Sequence, residues 1–328
     1  MKRAIALSLL ILAQSSATNL GQNARFGTSS QISAQTVSYN LYVKSGIISL
    51  KIGTGQYTER NVSSNALPKN VANVLQTPAP AGTGAAGSAS AGNGTSGNGA
   101  AMNSQNSIPD HLRRVDLTMS SGSGASMFYQ INDTLTSFQT TDGKGLYYRK
   151  ATHENKRHDV ETAIFTRATS GTTTGNTSSA PATTPTNGKG TTAGTYAADL
   201  KAVSSDGKLL GQKRVVDSQE IYDLLSMISM LRALNSSQLR PGKTIEVPMV
   251  NGLTTVTQYI KYEGSKKVKA DDGKTYNCIE ISIHDFKYGD ERETLRACVT
   301  NDSRHMPVQM DLVFTLGAIR CNLASYKE

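Results

Sequence analysis

The chain has 328 residues, 37% hydrophobic and 18% charged, with 34 Lys and Arg against 25 Asp and Glu for a formal net charge of +9. That length admits one large β domain or two average ones, and the low apolar share implies that part of the chain stays outside any core. The basic excess is scattered, with no Lys/Arg stripe interleaved with aromatics, which speaks against nucleic acid as a partner.

The N-terminus carries the clearest signal. Lys2 and Arg3 precede an apolar stretch from Ala4 to Ala13, and Ser15-Ser16-Ala17 supplies the small residues of a cleavage site. Residues 1–17 therefore read as a secretory signal peptide. Its removal takes Lys2 and Arg3 away and leaves a formal charge of +7. No Cys lies near the cleavage site, so no lipid anchor is offered. No later run of about 18 apolar residues exists, so no integral membrane span is expected after cleavage. The expected compartment is the periplasm or the outer envelope.

Period-two alternation follows. Val37, Tyr39, Leu41 and Val43 hold one parity, Ile48, Leu50 and Ile52 repeat it, and Val115, Leu117 and Met119 do so again. Two stretches break the pattern. Asn70 to Pro109 contains no charged residue, and Ala168 to Ala198 contains only Lys189. Both are built from Ala, Gly, Ser, Thr and Asn and cannot bury enough apolar surface to offset ordering entropy. Insertions 77–107 and 168–198 are thus expected to be disordered, within a single β domain spanning 36–327. Two G-x-G-x-x-G matches in the first tract, at Gly82 and Gly92, lack the preceding strand and following helix that a dinucleotide site requires.

One helix is expected, from Ser218 to Leu234. Ile221, Leu224, Leu225, Ile228 and Leu231 recur at helical spacing, Asp217 can cap the first turn, and Glu220 completes a capping-box pattern. Met227, Met230 and Leu234 widen the apolar face, either as core or as an adaptable ligand-contact surface. Beyond it, strand-like runs cover Val256 to Tyr262, Tyr276 to Ile283, Arg292 to Val299, Pro307 to Phe314 and Ala318 to Tyr326. Asp206-Gly207, Asn251-Gly252 and Asp272-Gly273 mark hairpin turns. A single antiparallel meander is the implied fold. Cys278, Cys298 and Cys321 show no C-x-x-C spacing and sit in apolar runs, which favours buried thiols over a disulfide.

Catalytic constellations are not found. There is no G-x-S-x-G elbow. His153 and His158 are five apart, on opposite faces of a regular strand, so no metal site is expected there. Asp271-Asp272 and Asp290-Glu291 flank turns, where acidic residues serve the backbone. No cofactor is implied. Asp133-Thr134-Leu135 is similar to the Asp-Thr/Ser-apolar signal for O-glycosylation of exported Bacteroidota proteins, which makes Thr134 a candidate modification site.

Several segments resemble one exported family, domain of unknown function 3108, also labelled TapB-like. Asp223-Leu224-Leu225-Ser226 leading to Leu231-Arg232 resembles its helix, and Gly273-Lys274-Thr275-Tyr276-Asn277-Cys278 its "G-x-x-Y-x-C" strand. Val299-Thr300-Asn301-Asp302 followed by Pro307-Val308 resembles its turn, and Gly317-Ala318 through Leu323 its closing strand. Tyr147-Tyr148-Arg149 matches a region upstream. Cys298 stands where Trp is usual, and Asn301 where Asp is usual. The resemblance implies a periplasmic or outer-envelope protein of Bacteroidota type. It also implies a strongly curved antiparallel sheet, a half-open barrel like that of lipoprotein carriers. Two function classes follow. The first is a non-catalytic envelope protein binding a lipid, a glycan or a protein partner in the cup, with Met227, Met230 and Leu234 as candidate contacts. The second is an envelope polysaccharide hydrolase using carboxylates that the sequence does not place.

Overall fold

The computed structural model describes residues 34–45, 48–76, 108–122, 130–155, 157–168, 195–234, 241–287, 290–314 and 317–328. The signal-peptide segment, insertion 77–107 and most of insertion 168–198 lie outside the described residues. The strands are β1 (Gln35–Ser45), β2 (Ile48–Ser63), β3 (His111–Ser121), β4 (Asn132–Gln139), β5 (Gly145–Glu154), β6 (Arg157–Ala168), β7 (Thr195–Ser204) and β8 (Leu209–Asp217). A second series comprises β9 (Thr244–Asn251), β10 (Thr254–Lys269), β11 (Thr275–Lys287), β12 (Asp290–Thr300), β13 (Pro307–Phe314) and β14 (Gly317–Lys327). Two helices, α1 (Lys69–Gln76) and α2 (Leu224–Ala233), complete the set.

All 14 strands form one antiparallel sheet, ordered β8-β7-β6-β5-β4-β3-β2-β1-β14-β13-β12-β11-β10-β9. Consecutive strands pair with each other throughout, except β8 and β9. The first and last strands pair in the middle of the sheet, with Thr36 opposite Lys327 and Val43 opposite Ile319. The two halves then curl toward each other, leaving β8 and β9 as edges. The seam is bridged in part by the segment before α2. The Tyr222 N–H donates to the Pro248 carbonyl at 2.9 Å, and Val250 N–H donates to the Tyr222 carbonyl at 2.8 Å. The result is a nearly closed, barrel-like sheet, in keeping with the expected fold class.

Alternation sends Val37, Tyr39, Leu41, Tyr57, Val115, Leu135, Leu200 and Leu323 to the interior, each at most 3% exposed. Each expected Asp-Gly or Asn-Gly turn is a hairpin turn, with Gly207, Gly252 and Gly273 at φ of +82°, +60° and +84°. Glycine, having no Cβ, adopts these angles at no steric cost. The β10–β11 turn reaches past its own neighbours. Its Asp271 carboxylate accepts from Asn40 Nδ2 and Tyr42 Oη, each at 2.7 Å, and pins the turn against the central strands β1 and β14.

Several details depart from the sequence expectations. Helix α1 lies in the stretch read as a low-complexity tract. It lays Val71 and Leu75 over Leu112, Phe138 and Tyr147 on the outer face of β3–β5. Thr195 to Ala198, assigned to the second insertion, opens β7 and pairs with β6. Helix α2 starts six residues later than expected. Asp217 closes a local turn by accepting from Gln219 N–H at 2.8 Å, and the N-cap is Asp223. Asp223 Oδ1 accepts from the backbone N–H groups of Leu225 and Ser226 at 2.8 and 2.9 Å, while Ser226 Oγ accepts from Asp223 N–H at 2.9 Å. Tyr222 stays out of the helix because its backbone is bonded to the edge of β9.

All three cysteines are free thiols and buried. Burial is the main reason that the Cys278 and Cys321 thiols are pushed up to about 12. A thiol-reactive chromogen should therefore label none of them in the folded protein and all of them in denaturant. Rapid native labelling of any would contradict this packing.

Candidate functional site

A 14-stranded barrel has a lumen too wide for side chains alone to fill. Here α2 occupies it. Leu225 is 0% exposed, and Met227, Met230 and Leu234 are 2%, 4% and 1% exposed. The helix is tied at both ends. At its N-terminus, Asp223 Oδ2 accepts from Ser137 Oγ of β4 at 2.9 Å. At its C-terminus, Arg232 Nη1 meets Glu59 Oε2 of β2 at 2.5 Å. Glu59 also faces Arg113 Nε of β3 at 3.1 Å, and Gln35 Nε2 donates to it at 2.5 Å. Burial alone would push the Arg232 guanidinium down, but Tyr57 and Glu59 outweigh it and hold the charge.

Between α2 and the strands lies a cavity of about 150 Å³. Its walls are apolar, with Leu41, Leu117, Leu135, Leu200 and Leu312 from the sheet and Leu224, Met227 and Ile228 from the helix. Of the three helix residues singled out in the sequence, Met227 lines the cavity. Met230 and Leu234 lie in the second apolar cluster with Val247, Ile260 and Ile281. The missed contributors are Leu224 and Ile228, the partly buried remainder of the same helical stripe.

One end of the lumen is acidic. Asp133 lines the cavity and is 1% exposed. Its carboxyl is hydrogen-bonded to that of Glu154, which is 4% exposed, and its Oδ1 accepts from His153 N–H at 2.8 Å. Burial, with Glu154 adding to it, raises the Asp133 carboxyl above the usual range. A raised carboxylate stabilises the fold below the ordinary Asp value and loses that contribution as pH rises through its own higher value. Stability measured against D133N should therefore shift in favour of the wild type as pH falls. Urea midpoints at acidic and neutral pH test this, and a pH-independent difference would contradict it. Sequence parity carried a signal for this residue, because Asp133 shares its phase with Ile131 and Leu135. Thr134 takes the other phase, half-buried mid-strand between Thr118 and Ala151.

His153 and His158 do not lie on opposite faces. A hairpin turn through Asn155, at φ +50°, places them directly across from each other with ring centroids 5.3 Å apart. Among the described residues, no three His, Cys, Asp or Glu side chains converge to hold a metal ion. No described helix is long and apolar enough to cross a membrane.

A model of the family described as "Protein of unknown function (DUF3108)" matches residues 100–324. The chain belongs to this family. The match spans β3 through β14, and so includes α2, the cavity's helix wall and the acidic end. Among solved structures, the chain is similar to a beta-barrel-like protein of domain of unknown function DUF1849 from Brucella abortus. Identity is 10%, coverage is 91% of this chain and 99% of that one, and the TM-score is 0.45. It is also similar to a protein described as exported, with a YmcC-like fold, from Bacteroides fragilis. There identity is 6%, coverage 91% and 97%, and the TM-score 0.31. No curated protein matches the sequence.

Proposed function

We propose that this family member is an exported, non-catalytic binding protein of the cell envelope that takes the apolar part of a ligand into its lumen. The observation that carries this reading is the cavity between α2 and the sheet, walled by leucines with Met227 and Ile228. Apolar walls with a few polar groups at one end are the usual make-up of a small-molecule site. The volume suits a short alkyl segment or one ring, since an apolar cavity of about this size takes up benzene. Export to the periplasm or outer envelope, in a bacterium of Bacteroidota type, rests on the N-terminal residues 2–17 and on the family resemblance. Modification of Thr134 belongs to the same exported reading; it requires a mass shift on the peptide carrying Thr134.

A polysaccharide hydrolase would need two carboxyls flanking a sugar, about 5–9.5 Å apart. Asp133 and Glu154 touch each other, which leaves no room for a glycosidic bond between them. That contact favours binding over hydrolysis.

Titration calorimetry with hexan-1-ol tests the reading directly. Saturable binding that weakens in Ile228→Ala is the expected result. Native mass spectrometry of protein purified from its own envelope should show a retained small apolar ligand. Absence of any alcohol binding, together with a ligand-free mass, would remove the apolar-ligand reading in favour of a glycan or a protein partner.

A further inference from the structure

The acidic end of the lumen contains more polar groups than the fold requires. The register running from Thr134 opposite Ala151 to Ile131 opposite Glu154 puts Thr152 directly across from Asp133, on the interior face. Thr152 is 2% exposed, and its Oγ1 has no hydrogen-bond partner. Leaving a buried hydroxyl unpaired costs about 1–3 kcal/mol, and a buried carboxyl pair costs more unless its charge is met. A valine at position 152 would fill the same space without that cost. The three groups are adjacent, desolvated and continuous with the apolar cavity through Asp133.

We propose that Asp133, Glu154 and Thr152 form a binding site for the ammonium group of a primary alkylamine whose chain lies in the apolar cavity. This rests on the apolar-ligand reading above and names the ligand's head. An R–NH3+ group has three N–H donors, which match the two carboxyls and the orphaned Thr152 Oγ1. It also brings a positive charge to Asp133, whose ionised form is disfavoured by burial. The surrounding charges agree in sign. Lys150 of β5, Arg157, Asp159 and Glu161 of β6 complete the interior face at this end. Arg157 is already engaged, at 2.5 Å from Asp159 and 3.7 Å from Glu161. Four carboxyls thus stand against two cations. Strand β3 contributes only Met119 and Ser121 here, and Tyr148 is the nearest phenol on β5. Lys150 lines the cavity on the same wall and opposes an incoming cation, so its removal should strengthen amine binding.

The test uses the full chain and two probes of equal length, hexylamine and hexan-1-ol, titrated calorimetrically between pH 5 and 8. The amine stays protonated throughout this range. The amine is expected to bind roughly tenfold or more tightly than the alcohol at pH 8. That preference should shrink toward pH 5, because the ammonium favours the ionised form of Asp133, which burial disfavours, while alcohol affinity stays flat. D133N should lose the preference for the amine, and its urea unfolding midpoint shows that the variant is folded. T152V should weaken the amine alone. Equal affinities in the wild type, or a preference that survives D133N, overturn the ammonium site and leave the apolar cavity standing. Failure of both probes to bind overturns the cavity reading and this site with it.

Discussion

Replacing Glu59 by alanine is expected to destabilise the protein by about 3–5 kcal/mol, the range for removing one partner from a buried ion cluster. Glu59 is 1% exposed and is the single carboxylate between Arg232 and Arg113, whose side chains are 10% and 7% exposed. Without it, two guanidinium groups face each other in a dry lumen, and Tyr57 and Gln35 lose their acceptor. Arg232→Met in the same background should recover part of the loss, because it removes one of the stranded charges. The coupling appears as non-additivity in a double-mutant cycle read by urea unfolding. A loss below about 1 kcal/mol in E59A would mean that water reaches this site.

Leu225→Ala should cost about 2–5 kcal/mol, as truncation of a fully buried leucine does. The residue is 0% exposed and faces the larger apolar cluster, which includes Ile221, Val115 and Leu200. Leu224→Ala, one residue earlier, should cost less, since Leu224 is only partly buried and borders the cavity. Met227 and Met230 are nearly as buried as Leu225, so their truncation should lower the thermal midpoint as well as any ligand affinity. The more selective probe of binding is Ile228, which lines the cavity and is only partly buried. A Leu225→Ala protein as stable as the wild type would mean that α2 is not seated in the lumen.

The fold was legible where its causes are local. Alternation from Val37 to Val43 and from Val256 to Tyr326 reports one buried face, and Asp-Gly and Asn-Gly dipeptides report turn geometry. The pairing of β1 with β14 was not legible, because it joins residues nearly the whole chain apart and no local pattern encodes that register. The start of α2 was misjudged for a related reason. Ile221 fits the helical period, yet Tyr222 gains two backbone hydrogen bonds from the edge of β9, a tertiary opportunity invisible in the segment itself. The faces of His153 and His158 depended on one left-handed residue, Asn155. At the candidate site, Met227 was legible as an apolar helix residue. The acidic end was not, because Asp133, Thr152 and Glu154 come together only when β4 and β5 pair. Lys69 to Gln76 was hidden by its composition, since two buried residues, Val71 and Leu75, suffice to dock so short a helix.

Joining the first strand to the last has a consequence for how the molecule comes into being. As the chain grows from its N-terminus, β2 through β8 can zip onto β1 by successive hairpins, each closing a short loop. The far side of β1 has no mate until Gly317–Lys327 is available. Until then, the strand destined for the centre of the sheet is an open edge carrying Tyr39 and Leu41. Such an edge invites pairing with other chains. Long-range closure of this kind is slow. Deletion of β14 should therefore do more than remove one strand. It would leave two half-sheets with no common seam, and aggregation rather than partial folding is the outcome that this topology dictates.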